Sequence, residues 1–327
     1  MVRSTLHESA SRASNIPAAA PQNITVHPLT GHIGAEIEGV NLKEPLPPPV
    51  LEELKAALLK WKVIFFRDQP LSHEEHIAFA KAFGEPTVGH PVFGFVEGYP
   101  QVYSVARDRL KSRAEGEQVI RPWTGFHTDV TAAVNPPAAS ILRGVIVPPY
   151  GGDTIWTNLA EAYRTLSAPL RSFVDTLRGV HSFRPPEGQT ATADFIAKNK
   201  RRPLVSEHPL VRVIPETGER VLFVSPSFLY AISGVSPRES QHLLELLFEH
   251  VTRPEFTVRF RWHPNSIAFW DNRTTAHLAP RDIFGLEFDR QLYRITLRGD
   301  VPIGVDGKPS TSIEGDPLDA HSPENVH

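Results

Sequence analysis

The 327-residue chain contains no cysteine, and this absence limits the chemistry open to it. It can form no disulfide and offer no thiolate to a metal, so any metal ion must be held by nitrogen and oxygen ligands. No apolar run approaches the roughly 20 residues that span a bilayer, and a formal net charge of only −3 lacks the basic excess of a nucleic-acid surface. These absences argue against membrane and nucleic-acid partners and leave a small molecule as the expected partner.

The hydrophobic content of 40% is enough for a substantial core, and single β-rich domains commonly reach this length. We expect one domain over residues 23–302, a flexible N-terminal arm over 1–22, and a C-terminal tail over 303–327 that ends as a surface strap or frays. The arm is rich in Ser, Ala, Arg and Pro and lacks the apolar core of a secretory signal, so a cytoplasmic location is expected.

Two histidines and one aspartate are the strongest candidates for chemistry. His127 and Asp129 form a His-x-Asp pair, whose side chains point the same way at the end of an extended strand. His277 lies 150 residues further along the chain. Two imidazoles and one carboxylate can hold one face of a non-haem iron(II) and leave positions open for oxygen and an organic acid. An isolated His-x-Asp is more often a surface or turn histidine, so the prediction depends on the fold bringing His277 to the pair.

A second group is basic. Strand alternation places Arg290, Leu292 and Arg294 on one face, which predicts two arginines directed into an interior. Because a buried guanidinium is unfavourable without a charged partner, this face predicts binding of carboxylate or sulfate groups.

Local patterns predict several elements. Capping boxes predict helices over Ser72–Ala82 and Ser236–Val251. The segment His73–His76 is interpreted as a solvated first turn, because its spacing is not that of a zinc-binding helix. A turn with two glycines, Gly151-Gly152, separates a buried strand from a short one.

Further strands indicate the fold class. We expect a hairpin over Leu210–Ser225 and another strand pair formed by Thr257–Trp262 and Ile267–Trp270. Many short strands with a few helices predict a mainly β fold with flanking helices, built on a double-stranded β-helix, or jelly-roll, core.

From about Val26 to Pro302 the chain resembles the taurine dioxygenase and alkylsulfatase branch (TauD/TfdA) of the iron(II)/2-oxoglutarate-dependent dioxygenases. The blocks that carry the resemblance are Gly34-Ala35-Glu36-Ile37, Val63-Ile64-Phe65-Phe66-Arg67, His90-Pro91, His127-Thr128-Asp129, Gly151-Gly152-Asp153-Thr154, Trp270-Asp271-Asn272-Arg273, His277 and Arg290 to Arg294.

The resemblance implies a jelly-roll enzyme that uses Fe(II), 2-oxoglutarate and O2. It implies that His127, Asp129 and His277 ligate the iron, and that Thr154 and Arg290 hold the distal carboxylate of 2-oxoglutarate. Thr154 could instead be an ordinary strand threonine and Arg290 a surface arginine. The loop before Arg290 is about two residues longer than in the family, so the register of Arg290 and Arg294 stays open.

The resemblance also implies a site for an anionic substrate. Its expected residues are His90 and Arg294 on the sulfur oxyanion, with Phe93, Val130, Phe183 and Phe228 around the rest of the substrate. Phe93 stands where the taurine enzymes have a tyrosine, and Trp123 falls near their asparagine. Because an ammonium without polar partners is costly to desolvate, we expect an alkyl sulfate or a related organosulfur anion rather than taurine.

Other readings stay open. Arg107–Gln118 and Arg184–Pro203 are either solvated loops or an active-site lid adapted to another substrate. A tailoring hydroxylase of specialised metabolism would use Arg294 for an apolar carboxylic acid, and a jelly-roll binding protein would hold metal without turnover. A homo-oligomer is possible, because Leu243–Phe248 suits an interface as well as a core.

Overall fold

The computed structural model describes residues 23–91, 93–106 and 114–319. The predicted arm, residues 107–113 of the charged insertion and the last eight residues of the tail lie outside the described residues. Within the described ranges no helix is long and apolar enough to cross a membrane.

The described residues form six α-helices and eighteen strands. The helices are α1 (Pro48–Trp61), α2 (His73–Lys81), α3 (Leu159–Thr165), α4 (Ala168–Val174), α5 (Ala193–Arg201) and α6 (Pro237–Val251). The strands are β1 (Thr25–Pro28), β2 (Ala35–Glu38), β3 (Val63–Phe66), β4 (Tyr103–Ala106), β5 (Ala114–Glu115), β6 (Ala139–Ile146), β7 (Thr154–Asn158), β8 (Arg178–Ser182), β9 (Thr190–Ala191), β10 (Val205–Pro209), β11 (Val211–Val213), β12 (Arg220–Leu222), β13 (Leu229–Ile232), β14 (Thr257–Phe260), β15 (Ile267–Asp271), β16 (Thr275–Leu278), β17 (Gln291–Leu297) and β18 (Thr311–Glu314). The prediction of a mainly β chain with flanking helices is confirmed.

The largest sheet has seven strands in the order β1-β2-β3-β15-β6-β17-β4. A three-stranded sheet, β14-β7-β16, and a four-stranded sheet, β13-β8-β10-β18, provide most of the remaining strands. In the large sheet β6 pairs antiparallel with both β15 and β17. Residues of β6 and β17 therefore lie side by side on the face of the sheet that carries the site.

Apolar side chains fill the space between the seven-stranded and three-stranded sheets. Phe65 and Trp270 from the large sheet pack with Trp156, Val258 and Phe260 from the small one. The rings of Phe65 and Phe260 stack at 4.1 Å, and those of Trp156 and Trp270 meet edge to face at 5.5 Å. This packing fixes the distance between the two sheets, so side chains at their ends are held at a set separation.

Both predicted helix starts are confirmed. Ser72 and Ser236 cap α2 and α6, each in a reciprocal capping box with the glutamate three residues on. The interpretation of His73–His76 as a solvated turn is wrong for His76, which is fully buried. The helix turns this histidine inward because it lies on the same face as Phe79 and Ala80, which also belong to the core.

The predicted hairpin is confirmed by the antiparallel pairing of β11 with β12. The predicted strand pair is wrong: β14 pairs with β7, whereas β15 pairs with β3 and β6. Both strands are present. The prediction paired them because they are close in sequence, but they belong to different sheets.

Candidate active site

Backbone pairing brings the two candidate histidines together. His127 and His277 form an isolated antiparallel bridge with two hydrogen bonds, of 2.9 Å from His127 N to His277 O and 2.7 Å in the reverse direction. Their ring centroids are 4.2 Å apart. Thr128 strengthens the junction by donating its hydroxyl to Thr275 O at 2.7 Å. The 150-residue separation in sequence is thus closed by one pair of exchanged backbone bonds.

His127, Asp129 and His277 form a compact cluster of possible ligands. One donor atom from each residue lies within 4.8 Å of the other two, and His127 Nε2 is 3.9 Å from Asp129 Oδ1. His127 Nδ1 lies 2.9 Å from the carbonyl oxygen of Gly125. Because a carbonyl can only accept, Nδ1 carries the proton and Nε2 presents its lone pair toward the cluster. Two imidazole nitrogens and one carboxylate at this spacing fit a six-coordinate iron(II) or a similar divalent ion.

A chain of hydrogen bonds orients the Asp129 carboxylate. Trp270 Nε1 donates to Asn272 Oδ1 at 2.8 Å, Asn272 Nδ2 donates to Ser140 Oγ at 2.7 Å, and Ser140 Oγ donates to Asp129 Oδ2 at 2.7 Å. All four residues are buried. Every donor points toward the carboxylate, so the chain fixes Oδ2 and leaves Oδ1 facing the histidines.

The charge of Asp129 is stabilised by its neighbours. Burial alone would raise its pKa, but the guanidinium of Arg294 and the two histidines hold the pKa well below its usual range, with help from the Ser140 hydroxyl. Arg294 Nη1 bonds directly to Asp129 Oδ1. The carboxylate is therefore ionised at neutral pH, as a metal ligand must be.

The turn before β7 positions a second group of residues. Arg290 is buried, and its Nε donates to the carbonyl oxygen of Gly152 at 3.1 Å. Thr154, also buried, accepts a bond of 3.0 Å from the indole of Trp262, so its own hydroxyl proton remains to be donated. Asp282 accepts from Gly152 N at 3.1 Å and holds the turn from the other side. A guanidinium and a hydroxyl donor reach this region together, which suits a carboxylate.

His90 and Arg294 meet near one aromatic ring. The His90 ring lies 5.0 Å from that of Tyr103, and the Arg294 guanidinium lies 5.3 Å from the same ring. Phe93 packs on His90 at 4.5 Å, and its backbone N–H donates to His90 Nδ1 at 3.2 Å. A neutral His90 therefore carries its proton on Nε2. Both predicted anion residues are buried, and the structure brings them to one place.

The predicted apolar residues lie between these groups. Phe183 and Phe228 pack edge to face at 5.0 Å, with Phe183 6.0 Å from His90 and Phe228 6.3 Å from His127. Both pack against the buried cluster that contains Val130. Trp123 is different: it packs on the large core cluster, 6.1 Å from Phe248. Its contact with core residues removes one of the two sequence arguments against a taurine-like amine.

Several contributors were missed from sequence. They are Ser140, Asn272, Tyr103, Trp262, Asp282 and the Gly152 carbonyl. Most of them carry no local motif of their own, because each acts through a partner distant in sequence. Asn272 had a signal in the Trp270-Asp271-Asn272-Arg273 block, but its direction toward Ser140 depends on the pairing of β15 with β6.

Comparisons with known proteins find one family model and several relatives that match most of the chain. A family model described as taurine catabolism dioxygenase TauD, TfdA family, matches residues 25–296. An alpha-ketoglutarate-dependent sulfate ester dioxygenase of Pseudomonas putida is 43% identical over 301 residues, which cover 89% of this chain and 95% of that protein. An alkylsulfatase of Acinetobacter baylyi is 37% identical over 304 residues, covering 90% and 92%.

A solved structure is also similar. The crystal structure of a taurine dioxygenase from Burkholderia xenovorans aligns with a TM-score of 0.80 at 63% identity, covering 90% of this chain and 96% of that one. The family model spans most of the described residues and includes His127, Asp129, His277, Arg290 and Arg294. The chain belongs to the TauD/TfdA family of dioxygenases.

Proposed function

We propose that the protein is an Fe(II)- and 2-oxoglutarate-dependent dioxygenase that oxidises the carbon bearing the sulfate group of an alkyl sulfate. The observation that carries this proposal is a buried anion site, formed by His90 and Arg294, directly beside the His127–Asp129–His277 cluster. Two curated relatives over about nine-tenths of the chain are named as acting on sulfate esters. We also propose that the two packed sheets form the double-stranded β-helix core.

The roles follow from the contacts. His127, Asp129 and His277 would hold the iron, and Thr154 with Arg290 would hold the distal carboxylate of 2-oxoglutarate. When bound, iron and 2-oxoglutarate supply the oxidant that places one oxygen atom of O2 on a substrate C–H, while 2-oxoglutarate becomes succinate and carbon dioxide. The protein excludes water and sets the position of the substrate.

Arg294 supports an anionic substrate because its hydrogen bonding is incomplete. Its Nε is buried and has no hydrogen-bond partner among the described residues, although Nη1 is paired with Asp129. A buried donor left without an acceptor costs about 1–3 kcal/mol. A sulfate oxygen would supply that acceptor, and the Nε2–H of His90 would supply a second donor to the same group.

The balance of the reaction explains the release of sulfate. Hydroxylation gives a carbon that carries both a hydroxyl and a sulfate ester. The hydroxyl loses its proton and becomes a carbonyl as the C–O bond to sulfate breaks and sulfate leaves with the bonding electrons. The products are an aldehyde, sulfate, succinate and carbon dioxide, with both atoms of O2 accounted for.

Taurine is the main competitor, because a solved relative with 63% identity is titled a taurine dioxygenase. The ring beside His90 argues against an amine here, since Phe93 offers no side-chain acceptor. The matched comparison is Phe93→Tyr, which restores a phenol at that position. A taurine enzyme should gain affinity for its amine substrate from this change, whereas an alkyl sulfate enzyme should lose affinity for apolar chains.

The test is a screen of succinate release over primary alkyl sulfates, alkyl sulfonates including taurine, and apolar carboxylic acids. We expect turnover with alkyl sulfates and equal amounts of sulfate and succinate. His277→Ala serves as the inactive control, and Arg298→Ala, an exposed arginine just after β17, as the active one. Turnover of a sulfur-free acid alone, with a stable alcohol as product, would replace this proposal with a tailoring hydroxylase.

A further inference from the structure

We propose that Leu318, in the C-terminal segment Thr311–Asp319, closes the far end of the substrate cavity and limits the length of the alkyl chain. This inference rests on the proposed function, because it names the part of that same site that reads the apolar tail. Neither the motifs of the sequence nor the predicted site residues include any position beyond Arg294.

A small cleft is bordered by residues that neighbour the anion site in the chain and by the C-terminal segment. It is lined by Pro91 and Val130, which directly follow His90 and Asp129 in the chain, and by Leu318. An alkyl chain that runs from His90 past Val130 would therefore end against Leu318.

The register of β17 supports the same direction. Thr296 also lines the cleft, and it lies two residues beyond Arg294 on the same face of the strand. Arg202, at the C-cap of α5, borders the cleft together with Asp319 of the C-terminal segment. The cleft thus lies between β17, at a position two residues from Arg294, and a boundary formed by the C-terminal end of α5 and the C-terminal segment.

Leu318 belongs to the apolar wall already described. It is 6% exposed and packs in one cluster with Val130 and Leu204, against which Phe183 and Phe228 also pack. Val130 has a φ of 49°, a left-handed conformation that is rare for a β-branched residue. The strain is consistent with a side chain that must lie in this wall while Asp129, next to it, faces the histidines.

The chain is fastened at Leu318 itself and upstream of it. Asn135 exchanges two hydrogen bonds with the Leu318 backbone, of 2.8 Å from Nδ2 to the carbonyl and 2.7 Å from the amide to Oδ1. Upstream, β18 pairs with β10. Between them Gly315 has a φ of 91°, and a Cβ there would lie 2.0 Å from Pro203 O. These contacts hold Leu318 in a fixed position next to the cleft.

Chain-length profiles test the assignment. Leu318→Ala opens space at the end of the cleft, so the longest alkyl sulfate that the enzyme uses well should lengthen by two or three methylenes. Each methylene that gains burial is worth about fourfold in KM, because it contributes about 0.8 kcal/mol. In the Leu318→Phe variant, the longest alkyl sulfate that the enzyme uses well should be shorter by a similar number of methylenes. Short substrates should keep their kcat in both variants.

Controls separate this role from a structural one. Ile313→Ala changes an exposed side chain of β18 in the same segment and should leave the profile unchanged. Thermal unfolding is measured for each variant, and Leu318→Val replaces Leu318→Ala if the latter does not fold, with a smaller shift expected in the same direction. A uniform loss of activity at all chain lengths would mean that Leu318 only supports the fold.

Failure of the Leu318 assignment and failure of the proposed function would give different results. If the unmodified protein releases sulfate from alkyl sulfates but Leu318→Ala and Leu318→Phe leave its length profile unchanged, the cleft does not hold the tail and this assignment is wrong, while the proposed function stands. If the unmodified protein releases no sulfate from any alkyl sulfate, the proposed function fails and the assignment fails with it.

Discussion

At the scale of single residues, the cluster depends on side chains that do not enter it. Ser140 is the clearest case, because its hydroxyl is both the donor to Asp129 Oδ2 and the acceptor for Asn272. Partners of this kind commonly contribute ten- to a hundredfold in metal affinity, since they hold a ligand in the orientation that the ion requires.

Ser140→Ala should therefore weaken iron(II) binding by about ten- to a hundredfold. The measurement is an anaerobic titration with iron(II). Ser240→Ala is the matched control, because Ser240 in α6 is also buried but accepts its hydrogen bond from Ile232 N of β13. Equal iron affinity in the two variants would show that Asp129 needs no such support.

Arg290 provides a second residue-scale prediction. Arg290→Ala should raise the 2-oxoglutarate requirement by about ten- to a hundredfold and change iron affinity little, because a charged hydrogen bond is worth about 1.5–3 kcal/mol. Arg290→Lys should recover only part of the loss, because lysine has the charge but cannot form the two parallel hydrogen bonds of a guanidinium. Arg298→Ala is the control. An unchanged dependence on 2-oxoglutarate would assign its carboxylate to another residue.

At the scale of elements, the turn Gly151-Gly152 joins the two sheets at the site. Gly152 has a φ of 69°, and a Cβ there would lie 3.0 Å from Ile283 and 3.1 Å from Arg290. Glycine is needed both for the left-handed backbone and for the close approach of the guanidinium.

Gly152→Ala should cost stability and also displace Arg290, so the 2-oxoglutarate requirement should rise. Gly218→Ala separates the two effects, because Gly218 has the same φ of 69° and no described residue lies within 4 Å of its added Cβ. Both variants should lose about 1–2 kcal/mol of folding free energy from the backbone. A raised 2-oxoglutarate requirement in both, or in neither, would contradict the role given to the turn.

The elements also show how far sequence reasoning reaches. The starts of α2 and α6 could be predicted because a capping box is complete within four residues. The pairing of β14 with β7 could not, because it joins segments about 100 residues apart and depends on the packing of Phe65 with Phe260. The same limit explains why Ser140 was missed although His127 and Asp129 were found.

At the scale of the whole molecule, buried histidines make folding depend on pH. Burial lowers the pKa of His76 to about 3 and that of His208 to about 3, and it also lowers the pKa of His181. Arg143 contributes to the shift at His76. Because the unfolded chain binds protons at these positions near pH 6.5 and the folded chain does not, stability is full above that pH and falls as the pH is lowered.

At pH 5 each of His76 and His208 should cost the metal-free protein about 2 kcal/mol of unfolding free energy relative to pH 8. His76→Gln should flatten the dependence, whereas His242→Gln, at an exposed position of α6, should leave it unchanged. Denaturant unfolding at several pH values measures both. An equal slope in the His76 variant and the unmodified protein would contradict the assignment of a neutral buried His76.

The central claim joins the cluster to the anion site in one reaction, and the product balance tests it most directly. The protein is loaded anaerobically with iron(II), 2-oxoglutarate and a primary alkyl sulfate, then exposed to oxygen, and succinate, sulfate and aldehyde are quantified together. We expect equal amounts of all three, with none formed when 2-oxoglutarate is withheld. Sulfate released without 2-oxoglutarate, or succinate formed with the ester left intact, would contradict the account.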